Sequence, residues 1–467
     1  MSTDLGSSRV HDLLGVGIGP FNLGLACLAE PLGLDAVFLD SRDGFAWHHG
    51  LMFDDATIQV PFLADLVTLA DPTSPYSFLA YLKQVGRLYP FYIRENFQPL
   101  RAEYDAYCRW ASERVRGLRW GREVVDVRRE DQGREGPGDD DEAPVYRVTA
   151  LTREGTETYR ARHLVLGIGT TPWSPIDTGL LDGGGTVALH ASDYLHRRED
   201  LLSLGSVTVV GSGQSAAEIY HDLLSASADV GPRVDWVTRS PRFFPMEYTK
   251  LTLEMTSPEY IDHFHELPPD QRDRMLREQR SLYKGIDAEL INQIHDLLYR
   301  RSVQGLDTGL LAAATSLDGA RREADPATGP ATGTGPATGS GAVLHLDLHC
   351  TDTGSPWTHH TEGLVLATGY SPTPPRFLDG IAEEIDRDGR GRYRVARDHT
   401  VDRAHSFIHV QNAEEHTHGL TAPDLGMGAM RNSIILRGIC GREVYPIESS
   451  IAFQQFGAPT ARHQEAR

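Results

Sequence analysis

The sequence predicts an α/β protein with two Rossmann-like dinucleotide-binding domains and a mostly helical insertion that contributes the substrate region. Two stretches carry this prediction. Residues 207–218, VTVVGSGQSAAE, place a β-branched run before a glycine turn and the start of an apolar helix. Residues 12–22, DLLGVGIGPFN, repeat that order. Such a turn lets backbone N–H groups and a helix N-terminus approach a pyrophosphate.

Each glycine turn is followed by a second strand that ends in a residue suited to a ribose. The first ends in Asp40, a carboxylate that accepts hydrogen bonds from ribose hydroxyl groups. The second ends near Arg239, a cation suited to a 2′-phosphate. We therefore predict FAD at the first turn and NADPH at the second. A tight strand–helix connection without a ligand is the alternative for either turn alone.

Composition limits the partners. The 467 residues suffice for two or three domains, and the formal net charge of −20 argues against nucleic acid and anionic membranes. The four cysteines form no CxxC pair, which argues against dithiol chemistry and favours a reducing compartment. No apolar run approaches the roughly 20 residues that span a bilayer, and the N-terminal residues lack the basic and apolar regions of a signal peptide. We expect a cytoplasmic protein.

Residues 1–194 are predicted to form the first part of the FAD domain. A strand, helix and strand fill residues 10–40. The next loop carries Trp47 and His48, which could stack on the adenine or the isoalloxazine ring, or simply anchor a surface loop. Residues 128–144 are too polar to pack and predict a disordered loop.

Residues 195–365 are predicted to form the NADPH domain. Within it, residues 241–301 have helical spacing, and the repetitive residues 319–342 predict a disordered loop. Residues 366–459 return to the FAD domain and supply a segment of the substrate site, and residues 460–467 form a tail. The late cluster at 416–419 lacks an acid spaced to complete a metal site, so no metal is predicted.

Taken together, the chain resembles the flavin-dependent N-hydroxylating monooxygenases of siderophore biosynthesis, the lysine/ornithine N-monooxygenase family. The resemblance covers nearly the whole chain outside the two low-complexity loops. The segments that carry it are GIGPFNL (17–23), FAWH (45–48), residues 58–82, GSGQSAAEIYHDL (211–223), TSPEYIDHF (256–264), LATGY (366–370) and THG (417–419) with Arg431.

The resemblance implies a mechanism and a set of site residues. NADPH reduces FAD, dioxygen adds to give a C4a-hydroperoxyflavin, and a neutral primary amine attacks its distal oxygen to yield a hydroxylamine. Gln59 matches the family residue near the flavin and the nicotinamide and is the catalytic candidate; a polar cap on a buried loop is the alternative. The expected FAD residues are Gly17, Gly19, Pro20, Asn22, Asp40, Trp47, His48, Gly369, His418 and Gly419, and the expected NADPH residues are Gly211, Ser212, Gly213, Gln214, Ser215 and Arg239.

Three departures from the family pattern bear on the substrate. Ala64 replaces the lysine that grips the substrate carboxylate in amino-acid hydroxylases, Leu253 replaces an asparagine, and Gly426 replaces a serine. A carboxylate buried against such residues would cost several kcal/mol. A diamine is therefore expected: cadaverine first, then putrescine or 1,3-diaminopropane, hydroxylated with O2 for a hydroxamate siderophore.

Two alternatives remain open at this point. L-lysine or L-ornithine could be the substrate if other residues pair its carboxylate. A flavin- and NADP-binding redox sensor would bind both nucleotides without oxygenating an amine. The family often forms dimers or tetramers, so a homo-oligomer is expected.

Overall fold

The structure, a computed structural model, describes residues 9–130, 144–227, 231–324 and 342–458. Most of the predicted polar loop at 128–144 and the whole tail at 460–467 lie outside these ranges. Within them, no helix is long and apolar enough to cross a membrane.

Strands and helices are interspersed along the described chain, as expected of an α/β protein. The strands are β1 (His11–Val16), β2 (Ala36–Asp40), β3 (Leu118–Trp120), β4 (Glu123–Arg129), β5 (Tyr146–Thr152), β6 (Gly155–Leu166), β7 (Thr171–Pro172), β8 (Val187–His190), β9 (Ser206–Val210), β10 (Arg233–Val237), β11 (Leu311–Ala312), β12 (Thr315–Ala324), β13 (Ala342–Cys350), β14 (Pro356–Thr361), β15 (Gly363–Leu366), β16 (Tyr370–Ser371) and β17 (Ile408–Val410). The helices are α1 (Pro20–Ala29), α2 (Phe78–Gln84), α3 (Leu88–Arg94), α4 (Arg101–Ser112), α5 (Tyr194–Leu202), α6 (Gln214–Ala226), α7 (Lys250–Leu253), α8 (Pro258–Glu266), α9 (Pro269–Glu278), α10 (Ala288–Val303), α11 (Glu415–His418) and α12 (Gly428–Cys440).

The first sheet has the order β3-β2-β1-β6-β5-β4, and β17 also pairs with β6. Strands β1, β2, β3, β6 and β17 are parallel, whereas β4, β5 and β6 form an antiparallel meander. Helix α1 packs against α12, so the late part of the chain returns to the first unit. Because carboxyl ends of parallel strands meet at one edge, the first glycine turn and the chain after β17 lie side by side.

The second sheet has the order β11-β10-β9-β15-β8, and all its neighbours are parallel. An antiparallel sheet, β12-β13-β14, packs on it through alternating leucines of β13. The mixed first sheet, with its parallel strands, and the parallel second sheet confirm the predicted fold class.

Two predicted boundaries differ from the structure. Strand β8 joins the second sheet, so the second unit begins before residue 187 and not at residue 195. The predicted loop at 319–342 begins too early, because β12 continues to Ala324 and pairs with β13 from Ala342 onward. The composition of this segment did not indicate a strand, because the outward side chains of the hairpin are charged, as in the Arg321–Asp347 ion pair. Residues 325–341 lie outside the described ranges.

Candidate active site

A cleft of about 1230 Å³ lies between the two sheets and the helical insertion. It exceeds the roughly 300–1,000 Å³ of a single small-molecule site, so it has room for more than one ligand. Its walls come from the first glycine turn, the loop at 46–60, the chain after β6, residues 246–256 and residues 420–425.

The first glycine turn has the local geometry of a pyrophosphate site. Gly17 has φ +86°, and a Cβ there would lie 2.5 Å from the carbonyl oxygen of Gly167. A Cβ at Gly19 would meet open space. Helix α1 begins with Pro20 and has no side-chain cap, which leaves its first N–H groups available to an anion. The turn therefore fits a dinucleotide phosphate.

Asp40 lies at the cleft and is fully hydrogen-bonded within the protein. It accepts from the Ile18 backbone N–H at 2.7 Å and forms a two-pronged ion pair with Arg42, whose Nη2 is 2.7 Å from Oδ2. Burial disfavours its charge, but Arg42 outweighs burial and holds the pKa below its ordinary value. A ribose hydroxyl would have to replace Arg42 as a partner of this carboxylate.

Asn22 lies behind the turn and does not line the cleft. It is buried, donates to the carbonyl of Gly17 at 2.8 Å and accepts from the Gln411 side chain at 2.7 Å. The side chain thus ties the turn to the chain that follows β17. These bonds fix the shape of the turn, and a contact of Asn22 with FAD stays a prediction.

Trp47 and His48 line the cleft beside the turn. The Trp47 ring packs on Tyr104 at a centroid distance of 5.2 Å, and its backbone N–H donates to Asp105. His48 has φ +48°, and burial, with a smaller effect of Arg101, lowers its pKa to about 4. His48 is therefore neutral at physiological pH.

The second glycine turn is as tight as the first. A Cβ at Gly211 would lie 2.3 Å from the carbonyl oxygen of Ala367. Helix α6 follows Gly213 without a side-chain cap, and Ser215 of its first turn reaches the cleft. The turn residue Ser212 precedes this open N-terminus. The N–H groups of α6 are therefore available to a second anionic ligand.

The side chain of Gln214 is hydrogen-bonded within the protein, whereas that of Arg239 is not. Gln214 donates to Glu218 at 2.8 Å and accepts from the Asp287 backbone at 2.7 Å, so its side chain is directed toward α10. Arg239 is exposed just after β10 and has no hydrogen bond or ion pair to the described residues. The position and availability of Arg239 fit a ribose 2′-phosphate.

Gln59 faces the cleft with an unsatisfied donor. Its Nε2 atom is buried and has no hydrogen-bond partner among the described residues. A buried amide donor without a partner costs about 1–3 kcal/mol, so a ligand acceptor in the cleft is expected to bind it.

Gly369, His418 and Gly419 do not line the cleft. The carbonyl of Gly369 accepts from the His190 ring at 3.0 Å, and the neighbouring Tyr370 reaches the cleft instead. The buried His418 stacks on His399 at 4.4 Å. A Cβ at Gly419 would approach Phe264 of α8 at 3.3 Å. Their contacts with a flavin stay predictions.

Sequence reasoning missed a buried ion pair that supports the cleft wall at residues 420–425. The Nε of Arg431 lies 2.9 Å from Oε1 of Glu414, and both side chains are at most 3% exposed. Arg431 also donates to the carbonyls of Thr421 and Ala422 and lies 4.6 Å from the Phe21 ring centroid. The motif contained Arg431, but no local signal in the sequence identified Glu414 as its partner.

Two of the three predicted substrate positions, Ala64 and Gly426, lie side by side without lining the cleft, and the third, Leu253, lines it. Ala64 is buried, and its Cβ would lie 3.7 Å from a Cβ placed at Gly426. Leu253 ends α7 and lines the cleft. Asp424, which sequence reasoning did not consider, also lines the cleft, and its Oδ1 lies 2.9 Å from the same Cβ position.

Every described cation that lines the cleft already has a carboxylate partner. Three arginines line it and no lysine does. The three ion pairs are Arg42–Asp40 at 2.7 Å, Arg101–Glu218 at 2.6 Å and Arg122–Glu157 at 2.9 Å. A ligand carboxylate would therefore find no free countercharge along the described walls.

Known proteins provide an independent comparison. The profile of the L-lysine 6-monooxygenase/L-ornithine 5-monooxygenase family matches residues 9–372. The chain is 44% identical to putrescine N-hydroxylase of Shewanella oneidensis over 96% of this chain and 84% of that protein. It is 29% identical to L-lysine N6-monooxygenase of Escherichia coli over 96% and 99%.

A solved structure extends the comparison to the fold. The FAD-bound cadaverine monooxygenase DfoA of the desferrioxamine pathway of Erwinia amylovora superposes with a TM-score of 0.88 and 47% identity. The alignment covers 97% of this chain and all of that chain. The ornithine N-hydroxylase KtzI of Kutzneria sp. 744, with NADP+ and L-ornithine, gives a TM-score of 0.79 at 29% identity over 93% and 99%.

Proposed function

Because the chain belongs to the L-lysine 6-monooxygenase/L-ornithine 5-monooxygenase family, we propose that it hydroxylates one primary amine of a diamine with FAD, NADPH and O2. The product is an N-hydroxydiamine for a hydroxamate siderophore. The compared relatives named for a diamine are 40–47% identical to the chain, whereas those named for L-lysine or L-ornithine are 26–32% identical, apart from one more distant lysine monooxygenase.

One observation carries the choice of a diamine: among the described residues, the cleft offers no unpaired cation to a substrate carboxylate. Its three arginines are all paired with acids of the protein, and at the predicted substrate positions Leu253, which lines the cleft, and the neighbouring pair Ala64 and Gly426 have no polar side-chain atom. Transfer of an unpaired carboxylate into such a site costs several kcal/mol. A diamine carries no carboxylate and avoids this cost.

We propose that the first unit holds FAD and the second holds NADPH. The turn at Gly17 and Gly19 with the N-terminus of α1 would bind the FAD pyrophosphate, and the N-terminus of α6 with Arg239 would bind NADPH. Bound flavin, once reduced by the nicotinamide, supplies the activation of dioxygen. The chain supplies position, water exclusion and a polar contact.

The reacting amine must be neutral to act as a nucleophile, and the walls favour that form. Burial against apolar side chains of the wall such as Leu253 and Leu420 lowers the pKa of an ammonium group. The orphaned Nε2 of Gln59 can donate a hydrogen bond to a ligand acceptor in the cleft and so orient it. Apolar walls also keep water away from reactive oxygen species.

Among diamines, we propose cadaverine first and putrescine or 1,3-diaminopropane next. DfoA, named as a cadaverine monooxygenase, is 47% identical to the chain, and the Shewanella putrescine N-hydroxylase is 44% identical. Hydroxylation of L-lysine or L-ornithine is the competing function.

An amine panel tests the proposal. The purified protein, loaded with FAD and supplied with NADPH, should form hydroxylamine from cadaverine or putrescine and consume oxygen in proportion. L-lysine and L-ornithine should give little product. Comparable kcat/KM values for L-lysine and cadaverine would overturn the choice of substrate, and absence of any amine-dependent product would overturn the activity.

Assembly and compartment are proposals of the same kind. We propose a homo-oligomer, because family members often form dimers or tetramers and because Tyr89, Tyr92 and Ile93 of α3 are more than 70% exposed. We also propose a cytoplasmic location, since all four cysteines are unpaired thiols. Light scattering of the purified protein measures the first, and cell fractionation measures the second.

A further inference from the structure

We propose that Asp424 binds the ammonium group at the unreacted end of the substrate, and that its negative charge excludes amino acids from the cleft. This inference rests on the proposed diamine hydroxylation and names the residue that recognises the second amine.

The position of Asp424 is the first argument. A Cβ placed on Gly426 would lie 2.9 Å from the Oδ1 atom of Asp424 and 3.7 Å from the Cβ atom of Ala64. Ala64 and Gly426 are two of the positions where amino-acid hydroxylases carry polar side chains for the substrate's amino-acid head group. A carboxylate therefore lies where those enzymes hold that head group, and the charge offered to the ligand is negative.

The other described acids that line the cleft are less suited to this role. Asp40 is paired with Arg42. Glu123 and Glu247 are exposed, and Glu247 accepts from the Ser281 hydroxyl at 2.8 Å. Asp424 is half-buried and forms no ion pair with the described residues. Among the described acids that line the cleft, it alone lies beside the predicted substrate positions and has no ion-pair partner within 4 Å.

The electrostatic surroundings of Asp424 agree with this role. Burial raises the pKa of Asp424. Hydrogen bonds from the backbone of Gly426 and Met427, and the positive charge of Arg431, act in the opposite direction but do not outweigh burial. Burial and the Asp424 carboxylate also raise the pKa of Tyr248, another residue of the cleft wall. A carboxylate in such surroundings gains stability from a cationic ligand. A diamine that loses a proton at its reacting end keeps one cation at the other end.

A purely structural role for Asp424 makes a different prediction. Its Oδ1 accepts from the Gly426 backbone N–H at 2.7 Å and so shapes the turn before α12. The Asp424→Asn variant keeps an oxygen acceptor at this place and removes only the charge. Loss of a turn would weaken every amine equally, whereas loss of a countercharge weakens only amines that carry a second cation.

The test compares cadaverine with n-pentylamine, which has the same chain length and no second amine. In the wild-type holoenzyme, kcat/KM should favour cadaverine by about 10- to 100-fold, the range of a charge-assisted hydrogen bond. Asp424→Asn should remove most of this preference by raising KM for cadaverine, with little change for n-pentylamine. Calorimetry should show the same loss of cadaverine binding, and flavin reduction by NADPH without amine should keep its rate.

Glu247→Gln is the matched control, because it removes another cleft-lining acid that already has a hydrogen-bond partner. It should leave the cadaverine preference unchanged. An Asp424→Asn variant with an unchanged cadaverine to n-pentylamine ratio would overturn this inference and leave the proposed function intact. A wild-type enzyme that hydroxylates no diamine would overturn the proposed function itself.

Discussion

Replacing Arg431 with methionine should lower the free energy of unfolding by about 3–5 kcal/mol, the cost of removing one partner from a buried ion pair. Three contacts set this magnitude. The Glu414 carboxylate at 2.9 Å loses its countercharge, and the carbonyls of Thr421 and Ala422 lose a donor. The orphaned Glu414 should then take up a proton, because burial already raises its pKa. That protonation keeps the loss within this range.

Urea unfolding at neutral pH, followed by tryptophan fluorescence and circular dichroism, measures this loss. Arg437→Met is the matched control, because Arg437 is an exposed residue of the same helix. Its substitution should change the free energy of unfolding by less than about 0.5 kcal/mol. Adding Glu414→Gln to Arg431→Met should recover part of the loss, since the double variant leaves no buried charge.

The same variant should retain less FAD through purification, because residues 420–425 form one wall of the cleft and the arginine fixes their backbone. A loss of stability below about 1 kcal/mol, or a double variant that is less stable than the single one, would contradict this role of the Arg431–Glu414 pair. Either result would mean that the ion pair is not what holds this wall.

Three further predictions test other parts of the structure. Arg239→Ala should raise KM for NADPH by about 10- to 100-fold and leave KM for NADH unchanged. Arg242, whose guanidinium packs over Phe244, is the control, and Arg242→Ala should change neither KM. Equal effects of Arg239→Ala on both nucleotides would contradict the 2′-phosphate contact. Gly19→Ala should leave the melting temperature of the apoprotein unchanged, because the added Cβ meets only open space in the protein. It should weaken FAD binding, because the Cβ would occupy space next to the pyrophosphate. A large loss of apoprotein stability would show that the glycine is needed for packing instead. Burial lowers the pKa of His409 to about 4, below its ordinary 6.5, so the unfolded chain binds more protons at this residue, and His409 alone should lower the free energy of unfolding by about 2 kcal/mol between pH 7.5 and pH 5. The urea midpoints of His409→Asn should therefore depend less on pH than those of the wild type, and an unchanged pH dependence would contradict the assignment.

Local signals in the sequence predicted much of the fold. In both units a β-branched or apolar strand leads into a turn where only glycine fits, because a Cβ at Gly17 or Gly211 would clash with neighbouring backbone. This local pattern predicted both units. The edge strand β8 was assigned to the wrong unit because a short buried strand does not reveal its partner. The start of the β12–β13 hairpin was missed because charged outward residues hide its alternation.

The candidate site was less accessible to sequence reasoning. Ala64, Leu253 and Gly426 were identified from departures within a family pattern, and the structure places Ala64 beside Gly426. Asp424 and Glu414 carry no local signal, because their importance depends on neighbours that are distant in the chain. Asn22 and His418 belong to motifs, yet the structure buries both behind the cleft wall. A motif locates such residues without showing which way their side chains point.

A competition experiment shows whether the cleft prefers a diamine to an amino acid. Equal concentrations of cadaverine and L-lysine are supplied to one sample of the FAD-loaded protein with NADPH, and mass spectrometry counts both N-hydroxylated products. We expect N-hydroxycadaverine to exceed N6-hydroxylysine by about 100-fold or more, the effect of a buried carboxylate without a partner. Comparable amounts of the two products would contradict it, because the cleft would then hold a substrate carboxylate without a free cation.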